Sequence, residues 1–374
     1  MSAADTAMTA LAAQGGEFVD PPLLIEASVP LELSGEAVRS RICAFVDGQS
    51  TEWALRPDLT LPVAQTECEQ RRNADLGETF RRYRGPVFRL PAIEDDPIEY
   101  EQVGLERFGA PSDVERDVWL FQTLVEASEA CGVKAGHTCF GDLSIFPAFV
   151  DALGFPDDVS AGLKRAFRQE GGVRAYLSGQ KRNQSGLPAR VSGMSRTEIA
   201  AFVEDIFSIT GVRPVGNRSA EEIVERLHAR STIGAGFEIS AEQSELLERV
   251  LTLDVAFAEA PAALQAIAQD GDLSGVETAL KRFGQRTEQL LAVSSAFTRT
   301  AHFATRFGRR FTYYDGFVFE IAASADKTAM QRPFVAGGRY DSLLSNLSQG
   351  EVDATALGGI IIPHRVENLL GDLS

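Results

Sequence analysis

Residues 55–106 constrain this chain more than any other stretch. Two apolar runs with strand character, 86–90 and 100–105, flank a polar, acidic connection over 91–99. Alternate residues of a strand share a face, so Gln102, Gly104 and Glu106 line one side, joined by Tyr100 where the strand is regular. Asp58, Thr60 and Arg89 are further polar groups placed to point off the sheet. Two readings fit. One is an amphipathic antiparallel sheet with its polar face in water. The other is a cradle for a zwitterion, with carboxylates for an ammonium and arginine for a carboxylate.

The rest of the chain limits the function class. Lys and Arg number 36 against 53 Asp and Glu, a formal net charge of −17, which argues against a primary grip on nucleic acid. A hydrophobic share of 44% supplies a packed core in a chain long enough for one large domain or two to three ordinary ones. Cys43, Cys68, Cys131 and Cys139 form no CxxC pair and read as reduced core residues. His137, His228, His302 and His364 are equally scattered, so each reads as a surface or packing residue and no metal site is expected. No apolar run approaches membrane-spanning length, and residues 1–13 lack the basic start of a secretory signal. A cytoplasmic protein with a frayed or short helical lead-in is expected.

Along the chain, residues 18–33 read as extended, because Pro21, Pro22 and Pro30 interrupt any continuous helix. Residues 61–70 read as a helix started by Thr60 and Pro62. Ser112 or Asp113 caps a helix running to about Ala130, and residues 137–143 form a short strand. From about 156 to 299 strand signals give way to successive helices, two with capping boxes at Ser219/Glu222 and Ser240/Gln243. Residues 233–236, Ile-Gly-Ala-Gly, lack the Lys-Ser/Thr of a phosphate loop. Strands return at 311–323, where Asp315-Gly316 fits either a turn or one bent strand. They continue at 334–341, where Arg339 and Asp341 either pair or meet a ligand, and at 356–362, before a terminal helix over 365–370. Strand-rich ends around a helical block predict an α+β fold. The expected organisation is a core from 1–155 and 300–374 interrupted by a mostly helical insertion at 156–299.

Five motifs occur in one order. They are Leu55-Arg56-Pro57-Asp58-x-Thr60, Gly85-Pro86-Val87-Phe88-Arg89, Gln102-x-Gly104-x-Glu106, Tyr313-Tyr314-x-Gly316-x-Val318-Phe319-Glu320 and Ala336-Gly337-Gly338-Arg339-Tyr340-Asp341. Together they resemble the catalytic core of histidyl-tRNA synthetases, from about residue 18 to the end, the insertion's details apart. The resemblance implies a class II aminoacyl-tRNA synthetase-like antiparallel sheet flanked by helices. Two families share that core: the synthetase, and its paralogue, the regulatory subunit of short-form ATP phosphoribosyltransferase.

Four departures point to the paralogue. The resemblance stops where a synthetase continues into an anticodon-binding domain of roughly 100 residues. The 91–99 connection carries Glu94, Asp95, Asp96 and Glu99, where a synthetase loop is basic. Ile362 and Pro363 stand where that family keeps small residues before an arginine, here Arg365. Thr312 replaces an Asp before Tyr-Tyr.

The resemblance implies a non-catalytic chain without a cofactor. It would activate a separate catalytic subunit in the first step of histidine biosynthesis and support feedback inhibition by histidine. A hetero-octamer is implied, with this chain dimerising through its core. Carried over from the synthetase pattern, Asp58, Gln102 and Glu106 meet the α-ammonium of histidine, Arg89 its carboxylate, and Thr60, Tyr313 and Tyr314 the ring side. Arg309 matches the histidine-activating arginine, and Arg89 and Arg365 match the ATP-holding pair, read as inherited groups now paired with carboxylates. The alternative is a truncated synthetase-like enzyme that activates an amino acid with ATP.

Overall fold

The computed structural model describes residues 1–33, 36–93, 96–169, 171–182, 191, 194–210, 221, 223–225, 227–228, 239–308 and 313–371. Two compact units emerge. One comprises 1–145, 251–267 and 277–374, the other 146–250 and 268–276.

The first unit is built on a nine-stranded sheet. Its strands are β1 (Glu17–Phe18), β5 (Thr79–Phe88), β6 (Glu99–Phe108), β7 (His137–Asp142), β8 (Asp254–Ala256), β9 (His302–Ala304), β10 (Phe317–Ala322), β11 (Val335–Arg339) and β12 (Ala356–Ile361). Their spatial order is β1-β5-β6-β12-β11-β10-β7-β9-β8. Every pairing is antiparallel except β1 with β5 and β7 with β9. A smaller antiparallel sheet takes β2 (Leu24–Glu26), β4 (Glu52–Leu55) and β3 (Ala44–Val46), in that order.

Register sorts the residues of the large sheet. Leu105, Gly359, Gly337, Phe319 and Phe140 lie side by side on one face; Glu106, Gly358, Gly338 and Val318 lie on the other. The first face takes the helix Val114–Ala130. Asp113 caps it, its Oδ1 accepting from Arg116 N at 2.8 Å. Phe121 of this helix packs at 5.2 Å from the Phe140 ring and 5.1 Å from Phe319. Leu124 reaches the sheet where Gly359 leaves space, since a Cβ there would lie 2.6 Å from Leu124 Cδ1. A buried ion network ties in the helix Glu277–Val293: Arg286 and Arg339 both bond Asp117, at 2.9 and 2.8 Å, and Arg286 also pairs with Asp142.

The second unit is helical in its described parts, with Asp157–Phe167, Gly172–Arg182 and Arg196–Thr210. Phe146 stacks on Phe167 at 4.5 Å, and Val191, Ile199, Val203 and Val224 form a small core. Ser240 and Gln243 form the expected capping box, and Ser195 with Glu198 forms another. Glu222 and residues 219 and 233–236 lie outside the described residues.

Several expectations need correction. Residues 18–33 are not all extended: Ser28–Leu33 is a helix, because Pro30 falls in its first turn, where a missing N–H costs nothing. Of the two forms expected for the lead-in, the short helix is the one found. Ala3–Ala13 is a helix with a Ser2/Asp5 capping box, and it buries Ala4, Ala7 and Leu11. A strand does occur within 156–299, β8, three residues at the sheet edge. The histidines and cysteines are not all isolated. His137 Nε2 lies 2.8 Å from His302 Nδ1, and Cys139 Sγ lies 3.2 Å from His302 Nε2, although 163 or more residues separate the partners. Arg339 and Asp341 pair with each other at 3.0 Å.

Candidate functional site

The second face of the sheet carries a cavity of about 340 Å³, lined by Asp58, Thr60, Arg89, Gln102, Tyr313, Tyr314 and Arg365, with Arg41, Asp96, Glu320, Ile360 and Ile362 among the other walls. This volume is at the low end of small-molecule pockets, roughly 300–1,000 Å³, and suits one small ligand.

Each wall is set by its local sequence. Arg56 is a buried staple: its Nε donates to Pro86 O at 2.8 Å and its Nη1 to Pro21 O at 2.5 Å. Gly85 is required beside it, since a Cβ would meet Arg56 Nη2 at 2.5 Å. This staple fixes Pro57 and Asp58 against β5 just before the helix Thr60–Asn73. Asp58 Oδ1 then accepts from Leu61 N at 2.9 Å, in the first turn of that helix. Arg89 follows β5 and donates from Nε to Pro57 O at 2.5 Å.

On β6, Gln102 and Glu106 are fully buried. Gln102 Oε1 accepts from Leu59 N at 3.3 Å, so its amide N–H group faces the other way. Glu106 Oε1 accepts from Thr60 Oγ1 at 2.7 Å and from Tyr83 OH at 2.6 Å. Glu106 therefore stands behind Thr60 rather than on the cavity wall, and the Thr60 hydroxyl is committed to it. Asp58 Oδ2, Gln102 Nε2 and Glu106 Oε2 have no hydrogen-bond partner among the described residues. Burial raises the carboxyl pKa of Asp58, with Arg89 pulling the other way, and pushes that of Glu106 up to about 8 against the hydrogen bonds from Tyr83 and Thr60. Buried polar atoms without partners, next to a cavity, mark a place completed by a ligand.

Tyr313 and Tyr314, with ring centroids 4.8 Å apart, form an aromatic wall backed by Tyr340. At the far end Arg365 Nη1 donates to Pro333 O at 2.9 Å, and its Nη2 lies 3.6 Å from Asp96 Oδ2.

The structure thus brings seven of the expected site residues to one cavity and puts Glu106 directly behind it. Arg309 and Thr312 lie outside the described residues. Sequence reasoning assigned no role to Tyr83, Glu320, Arg332 or Arg41. Tyr83 carried no local signal, since it meets the site by pairing with Gly104 across β5 and β6.

The sequence matches the family profile described as Histidyl-tRNA synthetase over residues 2–184 and 197–359. Curated relatives named ATP phosphoribosyltransferase regulatory subunit are similar over nearly the whole chain. That of Brucella anthropi is 28% identical, covering 95% of this chain and 94% of the relative, and that of Brucella canis is 27% identical, covering 97% and 95%. The relation to such subunits implied by the five motifs is borne out by these matches. Among solved structures, a Bacillus halodurans protein described as ATP phosphoribosyltransferase regulatory subunit/histidyl-tRNA synthetase superposes with a TM-score of 0.63 at 18% identity, covering 100% of this chain and 78% of the other. A histidine–tRNA ligase subunit from Alicyclobacillus acidocaldarius gives 0.58 at 22% identity, covering 99% and 92%. These likenesses carry the class II synthetase-like fold. With its motifs gathered on one cavity and 2–184 and 197–359 matched, the chain belongs to the histidyl-tRNA synthetase family.

Proposed function

We propose that the chain is the regulatory subunit of a short-form ATP phosphoribosyltransferase. It is not itself a catalyst. It holds a separate catalytic subunit in an active arrangement and conveys feedback inhibition by histidine, in the first step of histidine biosynthesis. The observation that carries this reading is the near full-length similarity to relatives of that name. We place the complex in the cytoplasm as a hetero-octamer in which this chain dimerises through its sheet unit. No helix among the described residues is long and apolar enough to cross a membrane.

The cavity supports histidine as the regulatory ligand. Asp58 receives the ammonium, with Glu106 holding Thr60 in place behind it, and Arg89 receives the carboxylate. The free Gln102 amide N–H group faces an acceptor, so it suits a ring nitrogen or the carboxylate better than the ammonium first expected of it. Tyr313 and Tyr314 pack the ring. Histidine would regulate by favouring one arrangement of the complex over another, which requires different affinities for the two.

The deciding experiment titrates the purified chain into a short-form catalytic subunit. Phosphoribosyl transfer rises with added chain and falls again with histidine. Unchanged activity and no complex on gel filtration reject the proposal. A second reading, adenylation of an amino acid, draws on Arg89 and Arg365 sharing the cavity. Pyrophosphate exchange by the chain alone would favour it.

A further inference from the structure

The arginine end of the cavity is occupied by a carboxylate of the chain itself. Asp96 Oδ1 accepts from Arg332 Nε at 2.8 Å, while its other oxygen faces Arg365. Ala92, Ile93 and Asp96, all from the connection between β5 and β6, line the cavity, and Asp96 N donates back to Ile93 O at 3.0 Å. Arg365 is held by Pro333 O, yet its buried Nε has no partner among the described residues. Burial lowers the pKa of Arg365, and Arg89 and Arg332 push the same way, against Tyr100 and Asp96. Two guanidinium groups, those of Arg332 and Arg365, therefore converge on one carboxylate, with Arg89 on the same cavity, an arrangement that would otherwise attract a phosphate.

We infer that Asp96 is an internal anion that sets the ligand class of the cavity. It takes the place of an external anionic group beside Arg332 and Arg365, so the cavity admits a zwitterion of amino-acid size and turns away polyphosphates and nucleotides. The size of the cavity agrees. What Asp96 supplies is repulsion against the wrong ligand, a difference in affinities rather than a gain in folding energy.

The test is calorimetric titration of the full-length chain with inorganic pyrophosphate at low salt, where charge effects are least screened. Wild type is compared with Asp96→Ala and Asp96→Asn. Both variants are expected to bind pyrophosphate at least about tenfold more tightly than wild type. Adding Arg365→Gln to Asp96→Ala should remove the gain. Equal affinity in wild type and both variants overturns the inference, and so does an absence of binding in all three. Thermal melting shows that the variants fold, and the isosteric Asp96→Asn carries the comparison if Asp96→Ala does not. The titration needs neither a partner subunit nor an amino acid, so its failure would leave the regulatory-subunit reading untouched.

Discussion

The two faces of the large sheet treat buried charge in opposite ways. On the helix face, Asp117 is shared by Arg286 and Arg339, Arg286 also pairs with Asp142, and Arg339 also pairs with Asp341. The charges answer one another within the chain, with Arg339 Nη2 left over. On the cavity face, two carboxyls and an amide are just as deeply buried, yet one atom of each has no hydrogen-bond partner among the described residues. The unit thus carries one network of charges paired within the chain and one face where buried polar atoms have no partner among the described residues, which is where the proposed histidine would bind. Full burial does not distinguish the two, but opposite charges do: each charge on the helix face has an ion-pair partner, and Glu106 has only neutral hydroxyl donors.

The largest effect separating the faces is expected at Asp117. Asp117→Ala removes the carboxylate that two buried arginines share, leaving Arg286 with Asp142 and Arg339 with Asp341 alone, and should cost about 3–5 kcal/mol in urea-induced unfolding. A loss under about 1 kcal/mol would show that the network is not a structural clamp. The cavity face gives a smaller, pH-dependent effect. The folded-state pKa of Glu106 lies above its unfolded value, so the folded chain holds an extra proton between the two. That contribution is complete below the unfolded pKa and is lost as pH rises towards about 8. Over this window stability falls by at most about 1.4 kcal/mol per pH unit from this group. Glu106→Gln keeps an acceptor for Thr60 and Tyr83 and should flatten the slope in melts between pH 5 and 8. An unchanged slope would mean that Glu106 is ionised throughout. The smallest effect is expected away from both faces. Arg72 and Glu351 pair at 2.7 Å with side chains 43% and 65% exposed, so Arg72→Ala should shift stability by about 1 kcal/mol or less.

How much of this was legible in the sequence differs by scale. The hairpin of β5 and β6 was visible as two apolar runs, but β5 begins at Thr79, well before the expected 86. Arg81, Arg82 and Arg84 disguised it. Their side chains run to Glu67, Gly15 O and Glu101, so a polar stretch is strand after all. The helix Val114–Ala130 was readable from its cap and apolar spacing, because both signals are local. β8 was not, since three residues at a sheet edge carry too little pattern. At the site, the motif residues were legible because each motif is short. The groups that decide its chemistry were not. Asp96 and Arg332 are 236 residues apart, and the partners of Glu106, Thr60 and Tyr83, stand 46 and 23 residues away. Pairings of that reach are set by strand register, which a local pattern does not carry.

Calorimetry of the isolated chain with histidine tests the cavity face most directly. The account predicts a saturable heat for wild type at one site per chain. Asp58→Asn, which keeps the shape and removes the charge, should weaken binding by at least about tenfold, consistent with the loss of a charge-assisted contact. No heat from a folded wild-type chain, or equal binding by wild type and Asp58→Asn, would contradict it.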